Sequence, residues 1–373
     1  MKSMPSSRRG FIATTASALA AGGLWENLVR PANASNRTRG IPLSVAGYPY
    51  DRVAALAEGR VQVADCEVKF ETSKIGELNT HAFQGPAERD VSELGLLPYL
   101  LAFANDDFRK YELLPIFVLK VFRHKSIFVR SDSGIDEPAD LRGKRVATPG
   151  YSSSGLTWIR GILKDEYELS PEDINWVVTT RDSAVNQTGG ASAWEKQIPD
   201  GLKYESAPEG KDESQLLLDG VVDAIFHPAE PRAFVERDPR IRRLFSDPRQ
   251  VEQAYFKRTG IFPIMHVVGM RRDLAEREPW LRKAIFDAYV EAKRMNFEHM
   301  QRIQWAYDSL PWYGQELNET RQAMGEHFYS YGLPSNKDSF NAALRYAHDQ
   351  GLTDRKLEIK DLFHSSVIDL KDA

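Results

Sequence analysis

The segment Leu141–Gly155 reads L-R-G-K-R-V-A-T-P-G-Y-S-S-S-G and constrains the fold more than any other stretch of the chain. Val146 and Ala147 fall on a short strand, Pro149-Gly150 turns the chain, and Ser152, Ser153 and Ser154 open a helix over Gly155–Glu166. A strand that feeds a helix through a tight turn is the repeating unit of α/β architecture with mostly parallel pairing. The first N–H groups of such a helix have no internal partner, and the dipole there is positive. The serines therefore either cap an ordinary helix or present a site for a carboxylate or phosphate. Trp158 and Arg160, on the first turns behind the serines, favour the ligand site.

The same alternation runs along the chain. Leu43–Ala46 reads as a strand, and Tyr48-Pro49-Tyr50-Asp51-Arg52 turns into a helix ending near Leu56. Val61–Glu71 is a second strand, and Asp90–Gly95 is a buried strand end feeding a helix at Leu97–Phe103. A second series starts near Ser131 and includes Lys144–Thr148 and a strand at Val221–Phe226, and the β-branched run Arg258–Met270 brings the chain back. Because a mature chain of about 340 residues exceeds what one core usually serves, two lobes are expected: residues 35–130 with 263–373, and residues 131–262. Ligands of open α/β sheets bind at the carboxyl ends of the strands, which here means an interlobe cleft. Thr179–Gly210, poor in apolar residues, reads as a long surface loop near that cleft. Further on, Leu281, Ile285, Ala288, Ala292 and Met295 recur at helical spacing, and Trp305, Tyr307, Trp312 and Tyr313 read as helix-packing aromatics.

Ser7–Ile12 reads S-R-R-G-F-I and precedes a mild apolar run, Ala13–Leu24, and Ala32-Asn33-Ala34. This is the pattern of a twin-arginine export signal occupying residues 1–34, which predicts a periplasmic mature protein and the twin-arginine machinery as a partner. The formal net charge is −4, and loss of Lys2, Arg8, Arg9 and Arg30 against Glu26 makes the mature chain more acidic. No basic stripe points to nucleic acid, and no later segment is apolar enough to embed in a membrane. Cys66 is the only cysteine, which excludes an internal disulfide, a zinc-thiolate centre and a Cys-x-x-Cys redox pair; Val63, Val68 and Phe70 around it make it a packing residue.

Several blocks together resemble the 4,5-dihydroxyphthalate decarboxylase family, within the type II periplasmic binding-protein superfamily. They are Y-D-R (Tyr50–Arg52), D-V-S-E-L (Asp90–Leu94), F-R-H-x-x-I (Phe122–Ile127), L-R-G-K-R-V-x-x-P-x-Y (Leu141–Tyr151), W-I-R-G-I-L (Trp158–Leu163), R-T-G-I-F-P-I-M-H (Arg258–His266) and Pro279-Trp280. The resemblance spans essentially the whole mature chain. It implies a type II periplasmic-binding-protein-like fold and removal of a carboxylate from a hydroxylated aromatic acid as carbon dioxide, by protonation of the ring. The export signal keeps a second reading in view: a solute-binding protein that captures an aromatic carboxylate for a transporter permease.

Decarboxylation needs groups that move protons and cations or N–H donors that hold the retained carboxylate. His124 and His266, inside the two most specific blocks, are the expected acid–base pair. Arg123 and Arg258 are the expected carboxylate clamps, with Ser152, Ser153 and Ser154 as further donors. Asp51 at the mouth of the first strand, Glu93 near the end of another, and His227 and Glu230 after the Asp223–Phe226 strand are further candidates for the substrate site. His124, His227, Glu230 and His266 lack the compact spacing of a metal site, so no metal or other cofactor is predicted, although a divalent ion is not excluded. His81, His299, His327, His348 and His364 read as surface or packing residues.

Overall fold

The computed structural model describes residues 40–184, 190–303 and 309–372; residues 1–34, read above as an export signal, and Trp305 and Tyr307 lie outside them. Eleven strands appear among the described residues: β1 (Ile41–Gly47), β2 (Cys66–Thr72), β3 (Val91–Gly95), β4 (Tyr111–Lys120), β5 (Ile127–Arg130), β6 (Arg145–Thr148), β7 (Asn175–Val178), β8 (Tyr204–Ser206), β9 (Ala224–Phe226), β10 (Ile241–Arg243) and β11 (Ile264–Arg271). They form two mixed sheets, in the orders β2-β1-β3-β11-β4 and β10-β5-β9-β6-β7-β8. β1 pairs in parallel with β2 and β3, and β6 pairs in parallel with β7 and β9, as strand–helix–strand units require. β11 returns antiparallel between β3 and β4. The mixed two-sheet α/β architecture is the expected one.

The first sheet's helices follow from its strands. α1 (Asp51–Ala57) buries Val53, Ala55 and Leu56, α2 (Ile75–Phe83) buries Ile75, Leu78 and Ala82, and α3 (Leu96–Asn105) is buried from Leu96 to Phe103. α4 (Ser154–Tyr167) continues from the turn after β6 and is buried at every position from Ser154 to Leu163. A helix buried all round carries its polar groups only where partners wait for them. Trp158 Nε1–H accordingly donates to the carbonyl of Ile264 at 2.9 Å, joining α4 to β11, while Arg160 stacks on Tyr151 and donates to its carbonyl at 2.8 Å. Both side chains serve packing and not a ligand.

Two crossings connect the sheets. Val121–Ser126 leads from β4 to β5, and the helix Pro248–Thr259 with Gly260–Pro263 leads from β10 to β11; the crossings meet where Val121 N–H donates to Pro263 O at 3.0 Å. β5 already belongs to the second sheet, so the chain leaves the first before residue 127 and not after 130. The C-terminal helix Lys337–Asp349 touches α4 as well as the first sheet's elements: Gly161 has no room for a Cβ beside the Tyr346 ring, and Arg345 pairs with Asp165.

Other expectations need correction. The ten-residue β4 is absent from the sequence reading because Y-E-L-L-P-I-F-V-L-K is nearly continuous in apolar residues and contains Pro115. As the edge strand of its sheet, β4 tolerates a proline. The strand expected over Val61–Glu71 begins only at Cys66: Val61 and Val63 are buried in the turn after α1, where Val61 N–H donates to Ala55 O. Arg258 ends a helix, and the returning strand starts at Ile264. Trp312 is 69 % exposed and packs no helix, since it precedes the helix Tyr313–Met324 instead of lying on its buried face. No helix among the described residues is long and apolar enough to cross a membrane.

Candidate active site

A cavity of about 250 Å³ lies where the end of β1, the end of β3, β11, the first crossing and the start of α4 converge. Its volume falls below the roughly 300–1,000 Å³ of drug-sized sites and suits a single substituted ring. Ile75, Leu119, Pro149, Leu156 and Met265 supply an apolar lining, and His266, Tyr48, Tyr50, Arg123, Glu195 and Asp182 supply the chemistry.

One wall is a hydrogen-bonded acid–base group. β11 is irregular on both sides of His266, with register shifts against β4, and such bulges re-aim a side chain. His266 Nδ1 lies 2.6 Å from Glu93 Oε1, which leaves Nε2 for the cavity. The same Glu93 oxygen accepts the Tyr50 hydroxyl at 2.8 Å, and Oε2 accepts the backbone N–H of Tyr48 at 2.9 Å. Gly47 makes this approach possible, because a Cβ there would lie 2.9 Å from Glu93 Oε2. A carboxylate on Nδ1 fixes the imidazole tautomer and orientation. The Tyr50 and Tyr48 rings stack with centroids 5.3 Å apart, and Arg52 sits 4.3 Å from the Tyr50 centroid on the side of Tyr329. Burial first, and then the Glu93 charge, pushes the Tyr50 phenol far above its ordinary range; burial pushes Tyr48 up to about 12. Both are neutral phenols at physiological pH.

The opposite wall carries positive charge and unsatisfied donors. Arg123 is buried, with Nη1 donating to Pro228 O at 2.6 Å and Nε directed at Met265 Sδ at 3.1 Å. Burial lowers its pKa to about 10, so the guanidinium keeps its charge at neutral pH, yet no carboxylate pairs with it among the described residues. α4 begins beside it. The Ser153 hydroxyl accepts Leu156 N–H at 3.3 Å as the N-cap, and the N–H groups of Ser154 and Gly155 have no acceptor among the described residues. A Cβ on Gly155 would meet the Arg123 guanidinium carbon at 3.1 Å, so glycine lets guanidinium and helix start converge on one point.

Of the residues expected to form the site, His266, Arg123, Ser153 and Ser154 line this cavity. Ser154 meets it while its hydroxyl accepts Leu97 N–H at 3.1 Å. Glu93 stands behind His266 and Tyr50. Ser152 points away and donates to Trp194 O at 2.6 Å. His124 is separated from His266: it lies in an apolar pocket against Phe245 and Tyr255, with both ring nitrogens unpartnered, and burial lowers its pKa to about 4. A strand-end position was expected, but the short 3₁₀ turn His124–Ser126 rotates it toward the helix Pro248–Thr259. Arg258 pairs with Glu166 on the surface, Asp51 pairs with Arg52 at the exposed start of α1, and Glu230 pairs with Arg243; their charges are satisfied in solvent rather than in the cleft. His227 is buried behind the lining residues Pro228 and Ala229, with Nδ1 accepting Ala229 N–H and Nε2 3.1 Å from Asp182 Oδ1.

His124, His227, Glu230 and His266 are therefore not one metal set. Asp182, Glu213 and His227 each bring one ligand atom within 4.8 Å of the others. Their atoms already hydrogen-bond: Glu213 accepts the Thr179 hydroxyl and Ser183 N–H, and Asp182 accepts Ala184 N–H. Four lining groups escaped the sequence reading. Tyr48 and Tyr50 sit just past the carboxyl end of β1, a position that marks ligand contacts in open α/β sheets. Glu195 and Asp182 come from the stretch read as a surface loop, and no spacing in the sequence ties them to His266.

Two sheets joined by two touching crossings, with a cavity at the strand ends, define a periplasmic-binding-protein-like fold. The solved structure of the periplasmic sulfonate-binding protein SsuA from Methylobacillus flagellatus KT shares it, with a TM-score of 0.54 at 14% identity over 88% of this chain and 93% of that one. Residues 116–194 match the NMT1/THI5-like family model. A 4,5-dihydroxyphthalate decarboxylase of Comamonas testosteroni is 33% identical over 329 residues, covering 88% of this chain and 98% of that protein. The protein of the same name from Pseudomonas putida is 31% identical over 215 residues, covering 58% and 81%. The chain belongs to the 4,5-dihydroxyphthalate decarboxylase family.

Proposed function

We propose that this protein is a decarboxylase that removes one carboxylate, as carbon dioxide, from a hydroxylated aromatic dicarboxylate, with 4,5-dihydroxyphthalate as its substrate. The observation that carries the reading is the meeting of two kinds of chemistry in one small cavity: a buried, unpaired Arg123 at a free helix start, facing a Glu93–His266–Tyr50 group. A solute receptor needs the first and has no use for a histidine oriented by a buried carboxylate.

The retained carboxylate docks on Arg123 and the N–H groups of Ser154 and Gly155, where a charged hydrogen bond contributes about 1.5–3 kcal/mol. The ring lies among Ile75, Leu119 and Met265. His266 Nε2 draws the proton from the hydroxyl para to the departing carboxylate, and the imidazolium so formed is stabilised by Glu93. The electron density released raises the basicity of the ring carbon that must accept a proton. The departing carboxylate is best left off the guanidinium, because ground-state stabilisation would raise the barrier to its loss.

Incubation of the mature protein with 4,5-dihydroxyphthalate should release carbon dioxide and leave a monocarboxylate. Tight binding with the acid returned unchanged would favour the second reading, a receptor working with a permease, which the likeness of fold to SsuA makes the natural competitor. The arginine pair in Ser7–Ile12 further supports export to the periplasm by the twin-arginine route. Arg8→Lys with Arg9→Lys should leave full-length precursor in the cytoplasm, and normal processing of that double variant would remove the assignment.

A further inference from the structure

We propose that Glu195 is the acid that delivers a proton to the ring carbon losing its carboxylate. This role rests on the decarboxylase reading and completes it. His266 has one nitrogen free for substrate, and in drawing off the hydroxyl proton it is occupied as a base. A second proton carrier must face the ring. Among the titratable groups lining the cavity, Asp182 is engaged elsewhere, accepting a hydrogen bond from Ala184 N–H at 2.7 Å and lying 3.1 Å from His227 Nε2. The Tyr50 hydroxyl is committed to Glu93, and Tyr48 accepts Ile75 N–H at 2.8 Å. Arg123 keeps its proton.

Glu195 is placed differently. It is 8 % exposed and lines the cavity, and its Oε2 accepts Ser192 N–H at 2.9 Å and Ser192 Oγ–H at 2.8 Å. The Asn79 side chain reaches the same carboxyl as a further donor. The groups around the carboxyl are Ser192 from its own turn, Asn79 from α2, His266 from β11 and Tyr48 after β1. Burial outweighs the Ser192 donors and raises its pKa, so the acid form persists to higher pH than for an ordinary glutamate. Two carboxyls of one site, Glu93 paired with His266 and Glu195 desolvated, are thereby set for opposite tasks. The backbone also fixes where this acid stands. Glu195 O accepts Tyr151 N–H at 2.9 Å and Ser152 N–H at 3.1 Å, and a Cβ on Gly150 would lie 2.5 Å from it. Acid and anion site are thus anchored to the same turn.

In the step, the Glu195 O–H bond breaks as a C–H bond forms at the ring carbon. The bond from that carbon to the carboxylate then breaks, its electron pair restores the aromatic ring, and carbon dioxide leaves. His266 returns its proton to the phenolate oxygen, and the Glu195 carboxylate regains one from water. One proton is consumed for each carboxylate lost.

Glu195 and Ser192 also make a capping box. Glu195→Gln preserves those hydrogen bonds but cannot deliver the proton, so it separates the two roles. With 4,5-dihydroxyphthalate and the mature protein, kcat should fall about 100-fold or more. Calorimetric affinity should stay within about threefold. The wild-type kcat should decline at high pH as Glu195 ionises; Glu195→Gln should lose this limb. Ser192→Ala, which removes a donor to the carboxylate, should move it to higher pH. In deuterium oxide the wild-type product should carry deuterium at the vacated ring position. A Glu195→Gln variant with near wild-type kcat, or an alkaline limb unmoved by Ser192→Ala, would overturn the proposal while leaving the decarboxylase reading intact. Absence of carbon dioxide release by the wild type would overturn both.

Discussion

The wall of the cavity contributed by the first sheet is almost saturated with hydrogen bonds, whereas the wall contributed by the first crossing and α4 is not. Both Glu93 oxygens and His266 Nδ1 have partners, and the Tyr50 hydroxyl is spent on the same carboxylate. Arg123 and the first N–H groups of α4 instead carry positive charge and donors with no anion opposite them among the described residues. A saturated group holds its geometry and changes protonation without moving. An unsaturated one is stabilised by whatever anion arrives. In the proposed reaction, proton chemistry belongs to the first wall and binding to the second, so damage to each is expected to appear in different constants.

The largest effect is expected on the first wall. His266→Ala should lower kcat by about 10²–10⁴-fold while changing substrate affinity only slightly, as steady-state kinetics and calorimetry will register. An equal loss in both constants would mean that His266 merely binds. Arg123→Met should do the reverse, raising Kd by roughly 30-fold, the equivalent of about 2 kcal/mol, with a smaller effect on kcat. An unchanged Kd would place the carboxylate elsewhere.

The smallest catalytic effect sharpens the contrast between the two histidines. His124→Leu should leave kcat within about twofold, because His124 faces Phe245 and Tyr255 instead of the cavity. Its consequence belongs to stability. The folded pKa of about 4 lies below the ordinary 6.5, so between those values the unfolded chain takes up a proton that the folded one refuses. Wild-type stability should therefore fall as pH drops from about 6.5 to 4, by about 3 kcal/mol from this group. The leucine variant should lack that share of the slope in denaturation at several pH values, and a slope equal to the wild type's would show that His124 is solvated.

Local grammar made much of the fold legible. The Val-Ala-Thr-Pro-Gly-Tyr-Ser run is β6, a turn and the start of α4, and Gly-Leu-Leu-Pro opens α3 as the apolar pattern requires. β4 escaped because a doubly buried strand has no alternation to read, and its proline argues against a strand until its place at the sheet edge is known. In the site, Arg123 and His124 are adjacent in sequence, yet only one faces the cavity. Backbone dihedrals in a three-residue 3₁₀ turn decide between them, and no residue pattern encodes that choice.

Residue order alone carried the alternation of strands and helices, the helix start with its unsatisfied N–H groups, and the presence of His266 and Arg123 in blocks shared with a decarboxylase family. These are matters of local propensity and residue identity. Tertiary structure alone decided that His266 finds Glu93 across 173 positions and Tyr50 across 216, that Arg123 stays unpaired while Arg258 meets Glu166, and that Glu195 leaves a polar loop for a buried wall. Proton affinity and ligand affinity depend on which charges, donors and apolar surfaces surround a group in space. Those neighbours come from β1, β3, β11 and the crossings, which only the folded chain brings together.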